Sequence, residues 1–156
     1  MKMESHRRAL DKIFRRRDRY QIPEWQRDEV WPVEKQQLLI DSILRGWKLP
    51  KFYLSKTSIS PEEFEVVDGQ QRLAAIFDFF AGGLTLGEAV ADAPAGTSYS
   101  ELPDDMIDQF DDYEIEYDAI TSATEQDLKE FFQRLQGGLQ LTSSEKLNSV
   151  HSKLMR

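Results

Sequence analysis

Apolar residues along the chain fall into short bursts whose spacing switches between helical and alternating, with polar or glycine punctuation between them. Leu10, Ile13 and Phe14 recur at helical spacing within a basic run and predict a short amphipathic helix over residues 5–18. From Tyr20 the text YQIPEWQRDEVWP combines Pro23 and Pro32 with Tyr20, Trp25 and Trp31, and reads as an extended, packed segment. Pro32 suits the first turn of a helix through EKQQLLIDSILRG, with Leu38, Leu39, Ile43 and Leu44 as its inward face and Gly46 as its stop. KFYLS (Lys51 to Ser55) and FEVVD (Phe64 to Asp68) predict two strands separated by a polar loop with Pro61. Leu73, Ile76, Phe77 and Phe80 predict the next helix, which Gly82 and Gly83 end.

Downstream, GLTLGEAVADAPAGTSYSEL predicts a short helix inside a longer excursion, and LPDDMIDQF a helix with Met106, Ile107 and Phe110 inward. DYEIEYDAI alternates, so Tyr113, Ile115, Tyr117 and Ala119 share one strand face while Glu114, Glu116 and Asp118 occupy an opposite, solvated one. Thr124 with Asp127 resembles a capping box opening a helix with Leu128, Phe131, Phe132 and Leu135, broken at Gly137 and Gly138. Thr142 with Glu145 matches that pattern more closely and opens a last helix through Leu147, Val150 and Leu154. These elements make an α/β (α+β) domain: a small mixed sheet surrounded by helices. No linker divides it, so a basic segment over residues 1–19 leads into a single domain over residues 20–156.

Composition narrows the chemistry. The 156 residues include no cysteine and two histidines, His6 and His151, which excludes disulfides and thiolates and disfavours a zinc site or a Ser-His-Asp triad. No apolar run approaches the roughly 20 residues that span a bilayer, and the first residues lack a signal-peptide core, so a cytoplasmic protein with no membrane partner is expected. Charge is divided: residues 1–56 carry 14 Lys/Arg against 8 Asp/Glu, the remainder 6 against 20. Arg7, Arg8, Lys12, Arg15, Arg16, Arg17 and Arg19 all precede Tyr20, and are candidate contacts to DNA phosphates. A solvated helix face or a tail docked on the acidic half accounts for them equally. The acids between Glu101 and Asp118 confine any DNA contact to a local patch.

The stretch VVDGQQR, Val66 to Arg72, carries the most informative chemistry. Asp-Gly between apolar runs is a hairpin signal, but the helical spacing from Leu73 onward puts Gly69 where a strand gives way to a helix. Free N–H groups and the helix dipole favour an anion at such a junction, and glycine lets a phosphate approach the backbone. Arg72 in the first turn offers a planar fork of donors, and Gln70 and Gln71 offer neutral donors and acceptors for a water or a ribose. Asp68 has two readings: N-cap of the helix, or a group that positions Mg²⁺ or water in a nucleotide site. Neither a Walker lysine pattern nor a dinucleotide glycine fingerprint is present.

IPEWQRDEVW, LLIDSILRGWKLPKFYL, EVVDGQQRLAAIFDFF and FFQRLQGGLQLTSSEKLNS resemble, in order and spacing, the N-terminal domain of GmrSD-type restriction enzymes from about Tyr20 onward. The resemblance implies a ParB/sulfiredoxin-like fold in which a Gly-x-x-Arg element receives nucleotide phosphates. It also implies a domain that binds and hydrolyses NTP with Mg²⁺ and regulates a partner HNH-type nuclease domain or subunit in phage defence. The family's Asp-Gly-Gln-Gln-Arg motif is carried by Asp68, Gly69, Gln70, Gln71 and Arg72, and Gln26 and Arg27 match its earlier Gln-Arg pair. On these grounds Asp68, Gln70, Gln71 and Arg72 are candidate catalytic residues, with Asp68 also a candidate metal ligand. Gln26, Arg27, Gly69, Gln70 and Arg72 are candidate nucleotide ligands, with Arg134, Glu145 and Asn148 in support. Many relatives have Arg-Leu-Asn where this chain has Arg134, Leu135 and Gln136, which puts that asparagine's contact in question. Relatives continue into a helical region and commonly a nuclease domain, so this chain is expected to be either an N-terminal piece or a compact stand-alone member.

Structural readings stand beside the functional ones. Arg27 has nearby acids in Asp28 and Glu29, Arg134 can pair with Glu145, and Trp25, Trp31 and Trp47 are expected to pack rather than to stack on bases. Two further functions remain: a ParB-like DNA-binding module without catalysis, and a metal-dependent DNA nickase. The preferred base and homo-oligomerisation stay open.

Overall fold

The computed structural model describes residues 1–23, 30–88, 90 and 93–138. The strands are β1 (Lys2–Ala9), β2 (Tyr20–Gln21), β3 (Phe52–Ile59), β4 (Glu62–Asp68) and β5 (Glu114–Thr121). They form one mixed sheet in the order β1-β5-β3-β4-β2, with β1/β5 and β3/β4 antiparallel and β5/β3 and β4/β2 parallel. The helices are α1 (Leu10–Arg15), α2 (Val33–Leu44), α3 (Gln70–Ala81), α4 (Asp104–Asp112) and α5 (Glu125–Gln136), so the fold is the expected small sheet flanked by helices. No described helix is long and apolar enough to cross a membrane.

One sheet face, carrying Phe52, Leu54, Phe64, Val66, Ile115 and Tyr117, is buried with residues of α1, α2, α3 and α4 in the main core. The other carries Tyr53, Val67 and Ile120, against which Leu128 and Phe131 of α5 close a smaller cluster. Both faces of the central strands are therefore covered, which lengthens their apolar runs beyond simple alternation.

This layering accounts for the differences from the sequence pattern. Residues 2–9 form edge strand β1, and the predicted helix begins only at Leu10. His6 stacks on Tyr117 at 5.4 Å and the Arg8 guanidinium lies 5.4 Å from the same ring, so a polar edge strand covers an aromatic core with few apolar residues of its own. On α2 the inward residues are Leu39, Ile40 and Ile43, whereas Leu38 is 62% exposed. β3 and β4 run longer than expected and meet at Ser60 and Pro61. The excursion after α3 forms no helix among its described residues before a 3-10 turn at Tyr99–Glu101; backbone bonds between Leu86 and Thr97 and between Val90 and Ala93 hold it. The Thr124 capping box does form, with the Asp127 N–H donating to Thr124 Oγ1 at 3.1 Å and the Thr124 N–H to Asp127 Oδ2 at 3.0 Å. The helix predicted after Thr142 lies outside the described residues.

Candidate functional site

β4 ends at Asp68, Gly69 turns the chain, and α3 starts at Gln70, which excludes the hairpin alternative. Gly69 adopts φ +106°, and a Cβ on it would lie 2.3 Å from Phe52 Cδ2, so both backbone and space require glycine. It also takes the cap position, where it has no side chain to cap α3, and Asp68 accepts from the Gly69 N–H instead of acting as N-cap. The N-terminal end of α3 thus receives no capping side chain from its own cap residue and borders a polar cleft.

Arg72 is turned inward. It is 8% exposed, its Nη1 donates to the Pro50 carbonyl, and its Nη2 donates to the Lys51 carbonyl at 3.3 Å. The guanidinium lies 4.0 Å from the Phe52 ring centre and 3.5 Å from Asp68 Oδ2. Burial pushes the Arg72 guanidinium down and the Asp68 carboxyl up; each partner's charge opposes these shifts but does not cancel them. Such a long contact recovers only part of what desolvation costs. The residue expected to present its fork to a phosphate is chiefly a clamp joining α3 to the start of β3. Gln71 is likewise engaged, its Oε1 accepting from the Trp31 N–H at 3.0 Å. Gln70 is 5% exposed, and its carboxamide makes no hydrogen bond to another described residue.

These residues line a polar cleft of about 190 Å³ together with Trp31 and Lys35 of the α2 region and Gln136 at the end of α5. Lys35 stands in the first turn of α2 with its Nζ 4.4 Å from the Trp31 ring centre. It forms no ion pair with a described residue. Sequence reasoning passed it over, although a cation in the first turn of a helix, where the dipole disfavours it, is a readable anomaly.

A family model described as the N-terminal domain of GmrSD restriction endonuclease matches residues 10–152. The chain belongs to this family. No curated protein and no solved structure matches it. Membership as a GmrSD N-terminal domain ties the chain to restriction systems, and Asp68, Gly69, Gln70, Gln71 and Arg72 line the cleft at the start of α3. Gln136 lines the same cleft from the end of α5, whereas Arg134 pairs with Glu130 at 2.6 Å. Gln26, Arg27, Glu145 and Asn148, and with them the Arg134–Glu145 pairing, lie outside the described residues, as does Trp25. Among the described residues no group of three or more His, Cys, Asp or Glu is placed to hold a metal ion; Asp68 is the carboxylate lining the cleft.

The basic segment divides by partner. Arg7 pairs with Glu116 at 3.0 Å, Arg8 with Glu62 at 2.9 Å and Arg15 with Asp11 at 3.8 Å, while Arg17 covers the Phe14 ring at 4.3 Å. Lys12, Arg16 and Arg19 form no ion pair with a described residue and line a second cavity, of about 200 Å³, with Arg8, Tyr20 and Glu62.

Two expectations are corrected. Asp118 is not on a solvated face: it is 2% exposed, receives the Ser5 hydroxyl at 2.8 Å and pairs with Lys51 Nζ at 3.2 Å, because β5 lies between β1 and β3. Trp47 is not packed in the core but 60% exposed, with Arg45 5.6 Å from its ring centre.

Proposed function

We propose that this GmrSD N-terminal domain binds a nucleoside triphosphate with Mg²⁺ in the cleft at the start of α3 and uses its binding and hydrolysis to regulate a partner HNH-type nuclease domain or subunit. The observation that carries this reading is the convergence of the glycine-led N-terminus of α3, the buried carboxamide of Gln70 and the ammonium of Lys35 on one polar cleft. The residues fit a magnesium–phosphate group: Mg²⁺ commonly takes one or two protein carboxylates and completes its shell with substrate phosphates and water, and Asp68 supplies one carboxylate here. In the alternative to holding the cation, Asp68, whose affinity for protons burial raises, accepts the proton of a water attacking the γ-phosphorus as the bond to the β,γ-bridging oxygen breaks and the nucleoside diphosphate leaves. A Gly-x-x-Arg element at a strand-to-helix junction supports the ParB-like reading of the fold.

Calorimetric titration with ATP, GTP, CTP and UTP tests this directly. Binding of at least one of them that requires Mg²⁺ is expected; heat from none of the four would overturn it.

A second reading, local DNA contact, is favoured by Lys12, Arg16 and Arg19, whose charges have no described acidic partner and face a common cavity. It is compatible with the first, since a regulatory domain can also help to place DNA.

A further inference from the structure

We propose that Lys35, and not Arg72, is the cation that pairs with the phosphates of the bound nucleotide, an assignment that rests on the nucleotide reading of the cleft. The motif's own arginine is poorly placed for the task. Its two terminal nitrogens serve the carbonyls of Pro50 and Lys51, its face lies over Phe52, and Asp68 takes part of the remaining charge. A phosphate would have to displace these contacts, and the Pro50 and Lys51 carbonyls would lose donors they can replace only by reaching water.

Lys35 faces no such competition. Its ammonium lies over the indole of Trp31, an arrangement worth little at an exposed site, and no described acid neutralises it. The backbone beside it is tied at both polar groups of Trp31, which donates its N–H to Gln71 of α3 at 3.0 Å and receives the Gln36 carboxamide at its carbonyl at 3.0 Å. Through Gln71 the N-terminal ends of α2 and α3 are tied together at one cleft, and both helices have 12 residues. Each contributes a positive dipole end, to which Lys35 adds a full positive charge. These positive contributions border the same cleft as the Asp68 carboxylate, which Arg72 already pairs, and Glu34 also stands in the first turn of α2; phosphate oxygens would supply the anion that Lys35 lacks among the described residues. The carboxamides of Gln70 and Gln136 on the cleft walls supply neutral donors beside that charge.

The test compares wild type, Lys35→Ala and Lys35→Arg in calorimetric titrations with the four Mg²⁺-nucleoside triphosphates and with inorganic triphosphate, alongside urea denaturation of each protein. Lys35→Ala should weaken binding by roughly tenfold or more with an unchanged unfolding midpoint, and Lys35→Arg should retain most of the affinity. Wild-type nucleotide binding that persists undiminished in Lys35→Ala would remove Lys35 from the site while leaving the nucleotide reading intact. Inorganic triphosphate binding that depends on Lys35, with no nucleotide bound, would reject the nucleotide reading but keep the phosphate assignment. Failure of wild type to bind any of these ligands would overturn both.

Discussion

The α3 junction and the amino-terminal basic segment both present arginines that look suited to phosphate, yet the fold uses them in opposite ways. At the junction Arg72 is buried and bonded to backbone carbonyls, so its charge helps to hold β3 against α3. In the segment Arg16 and Arg19 have no described acidic partner and border a cavity, so their charge is available to a ligand. The difference teaches that an arginine's partners, and not its motif, decide whether it builds a site or serves one. The same distinction holds inside the cleft, where Arg72 frames the pocket and Lys35 is left to face it.

The largest effect should come from Arg72. Arg72→Ala leaves Asp68 without its cation and the Pro50 and Lys51 carbonyls without donors, and a loss of roughly 3–5 kcal/mol in urea denaturation is expected. A loss below about 1 kcal/mol would break the contrast, since an arginine that served only a ligand would be nearly silent without one. It follows that lost nucleotide binding in Arg72→Ala does not by itself identify a phosphate ligand.

Asp68 gives a smaller, pH-dependent effect. Burial raises its folded-state affinity for protons above that of the unfolded chain, so the folded state binds more protons across the intervening window. Asp68 therefore contributes stability that is present below the ordinary aspartate value of about 3.9 and is lost as pH rises through its folded value. As pH rises above the ordinary aspartate value, the stability of Asp68→Asn relative to wild type should increase until Asp68 is ionised in the folded state. A constant difference across that range would show that burial does not perturb this carboxyl.

The smallest change in stability belongs to the basic segment. Lys12→Ala, Arg16→Ala and Arg19→Ala should each shift stability by no more than about 0.5 kcal/mol. In anisotropy titrations with duplex DNA, each should reduce the salt-dependence slope by about 1 if its cation contacts a phosphate. Unaltered slopes in all three would leave these residues as solvated charge.

Much of the architecture was legible because it depends on local periodicity. The helices at α3, α4 and α5, the paired β3 and β4, the Thr124 capping box and the strand-to-helix turn at Gly69 all follow from spacing within a dozen residues. β1 escaped because His6 and Arg8, which cover Tyr117, are polar and Met3 is the one large apolar residue the strand packs inward. Asp118 escaped because alternation identifies a strand's two faces without showing that both are covered.

By itself the sequence determined most of the elements, the excluded chemistries, the family and the strand-to-helix turn at Gly69, since each rests on residue type and short-range order. Tertiary structure alone decided which charges are engaged. Arg72 meets its carbonyls at Pro50 and Lys51, Asp118 meets Ser5, and Lys35 reaches the start of α3, because folding brings together groups that lie 21 to 113 positions apart in the chain.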